Sequence, residues 1–438
     1  MTEKLSIHWF RRDLRLDDNV GLFHALSSGK KVLPIFIFDP EILDELPQKD
    51  GRVEFIHDCL HDIQQKLREL GSSLLVKYGP VEESWKSIIA EYPIAEVFTN
   101  RDYEPYAIKR DQQITDLLAE QGISFHHYRD QVLFEQDEIL SKSNKPYTVF
   151  TPFSKNWRSQ LTKDRLKDVG TEALFGNFWK SESLEIPSLE SMSFERTGLA
   201  FPARIPDKEI IKVYDQKRNF PAQKGTTRIG IHLRFGTMSI RKLARVAIKL
   251  NDTYLNELIW REFYMQILYN FPHVVDRPFR PAYAEVPWLK DEASFEKWCQ
   301  GKTGYPMVDA GMRELNETGY MHNRVRMVVA SFLSKHLLLN WQWGEAYFAE
   351  KLLDFELSSN SGGWQWAAGC GTDAAPYFRI FNPESQMKKF DPKLKYVRKW
   401  VPEYGTPLYP KPIVEHKFAR ERCLEAYKSV LGRKEAKV

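Results

Sequence analysis

Cysteine is scarce: four in 438 residues, at Cys59, Cys299, Cys370 and Cys423. None forms a C-x-x-C pair, so a disulfide framework is not expected, and no spacing supports structural zinc or an iron–sulfur cluster. A reducing, cytoplasmic location and no metal follow as expectations. No run of about 18 apolar residues occurs, so no membrane span is expected. The first residues, Met1 to Phe10, lack the basic and apolar regions of a secretory signal. No G-x-G-x-x-G follows the first strand-like run, so the usual dinucleotide fingerprint is missing. Charge of one sign is also nearly absent, at +4 net. That excludes little, because one basic face suffices to hold nucleic acid.

Aromatic residues are abundant at 13%, and most of the tryptophans fall between Trp260 and Trp400. The length suggests two domains. Apolar runs at Leu5–Phe10, Val32–Phe38, Leu74–Tyr78, Glu96–Thr99 and Ile123–Tyr128 alternate with amphipathic stretches such as Val53–Leu70 and Pro105–Glu120. This predicts an α/β, Rossmann-like domain over 1–130, with a parallel sheet covered on both faces. Periodicity fades over 131–203, read as a connecting segment crossing the surface, although its YTVFTPFSKNW stretch (Tyr147–Trp157) is aromatic enough to be ordered. Residues 204–438 predict an all-α domain, with helices at Ile240–Leu250, Tyr254–Leu268, Arg324–Leu338 and Trp343–Leu352. The tail Arg433–Val438 is expected to fray.

Several segments carry chemistry. GTTRIG (Gly225–Gly230) can present N–H groups, hydroxyls and a guanidinium to a pyrophosphate, although alone it reads more readily as a Thr-rich helix N-cap. ELIWREFY (Glu257–Tyr264) puts Glu257 and Trp260 on one helical face, where an indole can stack on a base and a carboxylate can meet its ring N–H groups. A core Trp beside a surface Glu explains the same pair equally well. GYMHNRVRM (Gly319–Met327) mixes Asn323, Arg324, Arg326 and Met327 at one helix start, which suggests a lined cavity. Leu352–Pro383 combines Asp354, Glu356, Asn360, a Gly–Gly pair, Trp364 and Trp366; its glycines let backbone approach a flat ligand closely.

Together with WFRRDLRLDDN (Trp9–Asn19), WCQGKTGYPMVDAGMREL (Trp298–Leu315) and KFDPKLKYVRKWVPEY (Lys389–Tyr404), these segments resemble the DNA photolyase/cryptochrome family over nearly the whole chain. Its nearest pattern is that of the class I cyclobutane pyrimidine dimer enzymes. The resemblance implies an N-terminal α/β antenna domain and an all-α C-terminal FAD-binding domain. It also implies blue-light-driven electron transfer from reduced FAD to a flipped-out dimer in DNA.

By the same resemblance, Tyr214, Thr226, Thr227, Arg228, Ile229 and Gly230 hold the FAD phosphates and nearby groups, while Asp354, Phe355 and Glu356 line the isoalloxazine edge. Arg326 pairs with Asp354, and Asn360 lies near the flavin, where plant-type cryptochromes carry Asp. Trp364, Trp341 and Trp288 match the family's electron-transfer chain, although packing alone would explain any one of them. Glu257, Trp260, Tyr264, Asn323, Met327 and Trp366 match the dimer pocket. Arg218, Arg324, Arg379, Gln386 and Lys389 match positions that grip the damaged strand. Glu356 stands where Asp is common and Gly230 where Ser is common. The antenna lysine of folate-binding relatives aligns with Val275, which speaks against folate as the second chromophore and leaves a deazaflavin, a flavin or an empty antenna site. The alternatives are a (6-4) enzyme, whose lesion helix carries paired histidines where this chain has only His322, and a cryptochrome. Signalling cryptochromes often carry a long extension, whereas 34 residues follow Tyr404 (438 − 404). A monomer acting on damaged DNA is expected.

Overall fold

Parallel strands form where the short apolar runs stood: β1 (Leu5–Phe10), β2 (Val32–Phe38), β3 (Leu75–Tyr78), β4 (Ile94–Asn100) and β5 (Ser124–Tyr128). This is a computed structural model, and it describes residues 3–435. The sheet order is β3-β2-β1-β4-β5, with every neighbouring pair parallel. Helices Val20–Leu26, Gly51–Glu69, Val81–Glu91 and Pro105–Glu120 lie on the connections between successive strands. β1 and β2 are buried throughout, as the continuous apolar run of a doubly covered parallel strand requires. Ile7 and Trp9 join Leu33, Ile35 and Trp85 in one cluster, with the Trp9 and Trp85 rings edge to face at 5.4 Å.

Strand order reverses between β1 and β4, the place where open α/β sheets commonly bind ligands. Here the RRDLRLDD motif fills the carboxyl ends of the strands with ion pairs. Arg11 bonds Asp111, Arg12 reaches Asp102 at 3.0 Å and Glu104 at 2.9 Å, and Arg15 meets Asp130 at 2.7 Å. Arg241 closes the set on Asp18 at 3.0 Å and Asp130 at 2.9 Å. Charges this deeply buried are tolerated because each meets its opposite. Burial works against ionisation of Asp13, but His8, the Arg11 N–H and Asn19 hold its carboxyl below the usual range.

The chain divides into two units that interleave in sequence. One takes the residues up to Glu138, Ser159–Ile205 and Arg228–Lys249, and holds the sheet. The other takes Ile139–Arg158, Pro206–Thr227 and Leu250 onward, and is helical. Its core gathers Trp298, Val325, Val329, Phe332, Trp364 and Tyr427 around the Pro306–Thr318, Asn323–Ser331 and Leu357–Ala368 helices. Among the described residues, no helix is long and apolar enough to cross a membrane.

Three local expectations differ from the structure. The helix read over Arg324–Leu338 ends at Ser331 and passes into a π turn, Phe332–His336. That turn buries two basic side chains. Lys335 donates to the Arg379 carbonyl at 3.1 Å, and burial draws its pKa down to about 8. His336 meets His416 across a 2.8 Å Nε2–Nδ1 bond, and burial, aided by His416, draws its pKa down to about 3. Second, the segment 131–203 is not only a surface connector. It contains the Phe150–Gln160 helix, which buries Phe150, Phe153 and Trp157. Those apolar positions do recur at helical spacing, but over too short a stretch to stand out. Third, of the tail expected to fray, Arg433 to Glu435 continue the His416–Glu435 helix, and 436–438 lie outside the described residues.

Candidate functional site

The helical unit encloses a cavity of about 400 Å³. The Asp252–Asn270 helix, capped by the Asn251 side chain, supplies Glu257, Trp260, Arg261 and Tyr264, whose three- and four-residue spacing puts them on one face. The Asn323–Ser331 helix supplies Asn323, Arg326 and Met327 from its first turns; His322 caps it, its Nδ1 accepting the Arg324 N–H at 3.2 Å. Asp354, Phe355 and Glu356 come from the approach to the Leu357–Ala368 helix, and that helix adds Asn360, Trp364 and Trp366.

Three arginine–carboxylate pairs line this cavity: Arg218–Glu257 at 2.5 Å, Arg261–Glu356 at 3.2 Å and Arg326–Asp354 at 3.0 Å. Arg326 donates through Nη2 to both Asp354 oxygens and through Nε to the Met321 carbonyl, which fixes the plane of the guanidinium. Burial raises the pKa of Glu257, and the Arg218 charge opposes that shift. Asn360 spends its amide N–H groups on Glu345, at 3.0 Å to the carbonyl and 2.7 Å to Oε1. Its carbonyl oxygen is then the polar group left to present. Burial lifts the pKa of Glu345 as well, which favours the neutral acid.

Phe348, Leu352 and Trp364 line the cavity as well. Trp364 is 2% exposed, and its Nε1 has no partner. Its ring neighbours are Phe348 at 5.0 Å and Trp298 at 6.1 Å. Trp341 is also buried but does not line the cavity; Trp288 is half-buried, edge-on to Tyr427 at 6.0 Å.

The remaining predicted residues lie elsewhere. The Thr-rich N-cap is not formed: the short Gly230–Arg234 helix starts from Ile229 without a side-chain cap. Thr226 and Thr227 instead bond the hydroxyls of Tyr320 at 3.2 Å and Tyr254 at 2.8 Å, and Tyr214 packs edge-on to Tyr254. Gly225 must be glycine, since a Cβ there would sit 2.5 Å from the Lys217 carbonyl oxygen. Arg228, Ile229 and Gly230 fall in the first unit, with Arg228 at φ 53°. Arg324 and Lys389 both lie against the Phe390 ring, at 4.4 and 5.3 Å, and Arg379 lies over Phe381. Gln386 sits on the Pro383–Phe390 helix. Arg218, read as a phosphate ligand, is engaged by Glu257 at the cavity. Sequence reasoning left out Arg261 and Glu345. The four-residue spacing from Glu257 could have raised the first; nothing local marks the second, whose importance arises only where two helices meet.

Two family models match, "DNA photolyase" over residues 6–171 and "FAD binding domain of DNA photolyase" over residues 254–407. A deoxyribodipyrimidine photo-lyase of Synechococcus sp. is 38% identical, with 96% of each chain covered. Among solved structures, a bacterial class III photolyase from Agrobacterium tumefaciens superposes with TM-score 0.87 at 32% identity, covering 98% of both chains. An archaeal photolyase from Sulfolobus tokodaii, described with two FAD molecules, superposes with TM-score 0.83 at 34% identity, covering 97% of this chain and 100% of that one. With the parallel sheet, the helical unit and near full-length identity in agreement, the chain belongs to the DNA photolyase family.

Proposed function

We propose that the protein is a light-driven lyase that splits cyclobutane pyrimidine dimers in DNA, using FAD held in the helical unit. The carrying observation is the cavity itself, lined both by three arginine–carboxylate pairs and by aromatic rings. Its volume of about 400 Å³ and an indole N–H without a partner suit a flat heteroaromatic group with polar edges. Asp354, Phe355, Glu356, Arg326 and Asn360 would hold the ring system; Tyr214, Thr226 and Thr227, in the same unit, would hold the phosphates. Reduced FAD supplies, under light, an electron donor for the dimer.

The chain's own residues bind, orient and exclude water. Arg326 keeps a cation beside the ring site, tempered by Asp354, so its field is that of a dipole and falls off quickly. Trp260 and Trp366 offer flat faces to an extruded pyrimidine dimer, while Glu257, Asn323 and Met327 line the same pocket. Arg324, Arg379, Gln386 and Lys389 would hold the strand through its backbone. Trp364, at the cavity, with Trp341 and Trp288 would return the cofactor to its reduced form; the first two are buried and Trp288 is half-buried. The functional division follows the same reading: an antenna domain over 1–130, with a second chromophore of deazaflavin or flavin type or an empty site; a joining segment over 131–203; and a FAD domain over 204–438. The test is illumination of the reduced, FAD-loaded protein with an oligonucleotide carrying one thymine dimer. Restoration of intact thymines in light and not in darkness supports the reading. No light-dependent repair, or repair of a (6-4) lesion instead, overturns it.

A further inference from the structure

The YTVFTPFSKNW segment plays no part in the function described so far, yet the structure brings it to the site. Its helix, Phe150–Gln160, packs along the Asp252–Asn270 helix. Trp157 Nε1 donates to Glu262 at 2.7 Å, Arg158 meets Asp252 at 2.6 Å, and the Phe153 and Phe263 rings lie 5.2 Å apart. At its first residue, the Phe150 ring lies flat on Trp260, with centroids 3.7 Å apart and planes 6° from parallel. The Phe150 backbone N–H is tied to Asp373 Oδ2 at 3.2 Å, so the ring's origin is fixed as well as its face.

We propose that Phe150 positions Trp260, covering one indole face so that the other is presented, pre-ordered, to the extruded dimer; this rests on the function proposed above. Face-to-face overlap is not the arrangement aromatic pairs prefer for their own sake. What it does here is steric. Trp260 is half-buried and would otherwise have room to turn. Phe150 closes one side, Phe263 meets its edge at 5.6 Å, and Tyr264 lies 5.5 Å away on the same helix. Phe150 itself is 7% exposed and does not line the cavity, so it acts through the indole and not on substrate. An indole fixed beforehand does not have to be ordered when DNA binds, and losing that advantage is worth roughly 2–10-fold in affinity.

The test uses the full-length, FAD-loaded protein and its Phe150→Ala, Phe150→Leu and Phe150→Tyr variants. Binding is measured to a duplex with one thymine dimer and to the same duplex undamaged, at one salt concentration. Phe150→Ala is expected to weaken damaged-duplex binding about 2–10-fold and leave undamaged binding unchanged. Phe150→Leu, which keeps apolar bulk without a flat face and guards against misfolding of the alanine variant, should lose part of the preference; Phe150→Tyr should keep it. In repair assays the loss should fall on KM and not on kcat. In a Trp260→Ala background, Phe150→Ala should add nothing. Equal losses on both duplexes, or additive losses with Trp260→Ala, would make Phe150 a packing residue and overturn the proposal. A parent protein with no preference for the dimer fails at the functional reading first, and the positioning role falls with it; a parent that discriminates while both Phe150→Ala and Phe150→Leu do so equally well overturns the positioning role alone.

Discussion

Trp260 and His336 show how differently two side chains of one unit report on their surroundings. Replacing Trp260 by Ala should weaken binding to dimer-containing duplex by about 1–3 kcal/mol, the range for a lost base–aromatic stack. Undamaged duplex, held mainly through phosphates, should barely respond; paired binding curves at one salt concentration check this. His336 concerns stability. Its pKa falls from 6.5 to about 3 on folding, so between those values the unfolded chain takes up a proton that the folded chain refuses. The stabilising contribution is therefore present above pH 6.5 and is lost as pH falls toward 3, at up to about 1.4 kcal/mol per pH unit. Denaturant titrations across that window should show a shallower acid limb for His336→Gln, and parallel limbs would refute the assignment. At this scale, sequence reading went furthest where partners share a motif. Glu257 with Trp260 came from one short segment, whereas Arg326 with Asp354 came only from the family resemblance, and the structure brings each pair to one cavity. Arg218 on Glu257, Glu345 beneath Asn360 and Phe150 on Trp260 are long-range meetings that no local pattern encodes.

Between elements, close approach decides more than propensity. The Trp341–Lys351 and Leu357–Ala368 helices meet where Gly344 leaves room for Trp364; a Cβ at Gly344 would lie 2.0 Å from the indole Cη2. Gly344→Ala should cost about 1–3 kcal/mol, the usual penalty for overpacking, and should lower FAD content by displacing a cavity wall. Chemical denaturation and flavin absorbance per protein measure the two effects. A fully stable, fully loaded variant would mean that the helices separate freely there. The strands were legible because short apolar runs bounded by polar turns have few other uses. The π turn at Phe332–His336 was not, because its apolar and basic residues fit an α-helix equally well and only tertiary packing selects the wider turn. The Phe150–Gln160 helix was missed for a related reason: its stability comes from the helix it lies against and not from its own pattern.

At the scale of the whole molecule, cofactor and fold should be thermodynamically linked. A ligand that binds only the folded state stabilises it by about 2.7 kcal/mol at a hundredfold excess over Kd. Stripping FAD should therefore lower Tm, and adding it back should raise Tm with the logarithm of its free concentration. A Tm indifferent to FAD would mean that FAD does not bind the folded protein or binds the unfolded chain equally well. The interleaving of the two units carries a different consequence, one of timing during synthesis. Asp18 and Asp130 are almost wholly buried, and both depend on Arg241. Roughly 100 residues separate Asp130 from Arg241, which at about 5–20 residues per second is on the order of 5–20 s of translation. Until then Asp18 must stay hydrated, and the carboxyl edge of the sheet cannot close on the emerging chain. Phe150 waits in the same way for Trp260. The ribosome thus releases neither unit finished before the other has begun, and nascent chains stalled between residues 160 and 240 would expose both half-built interiors to whatever chaperones attend them.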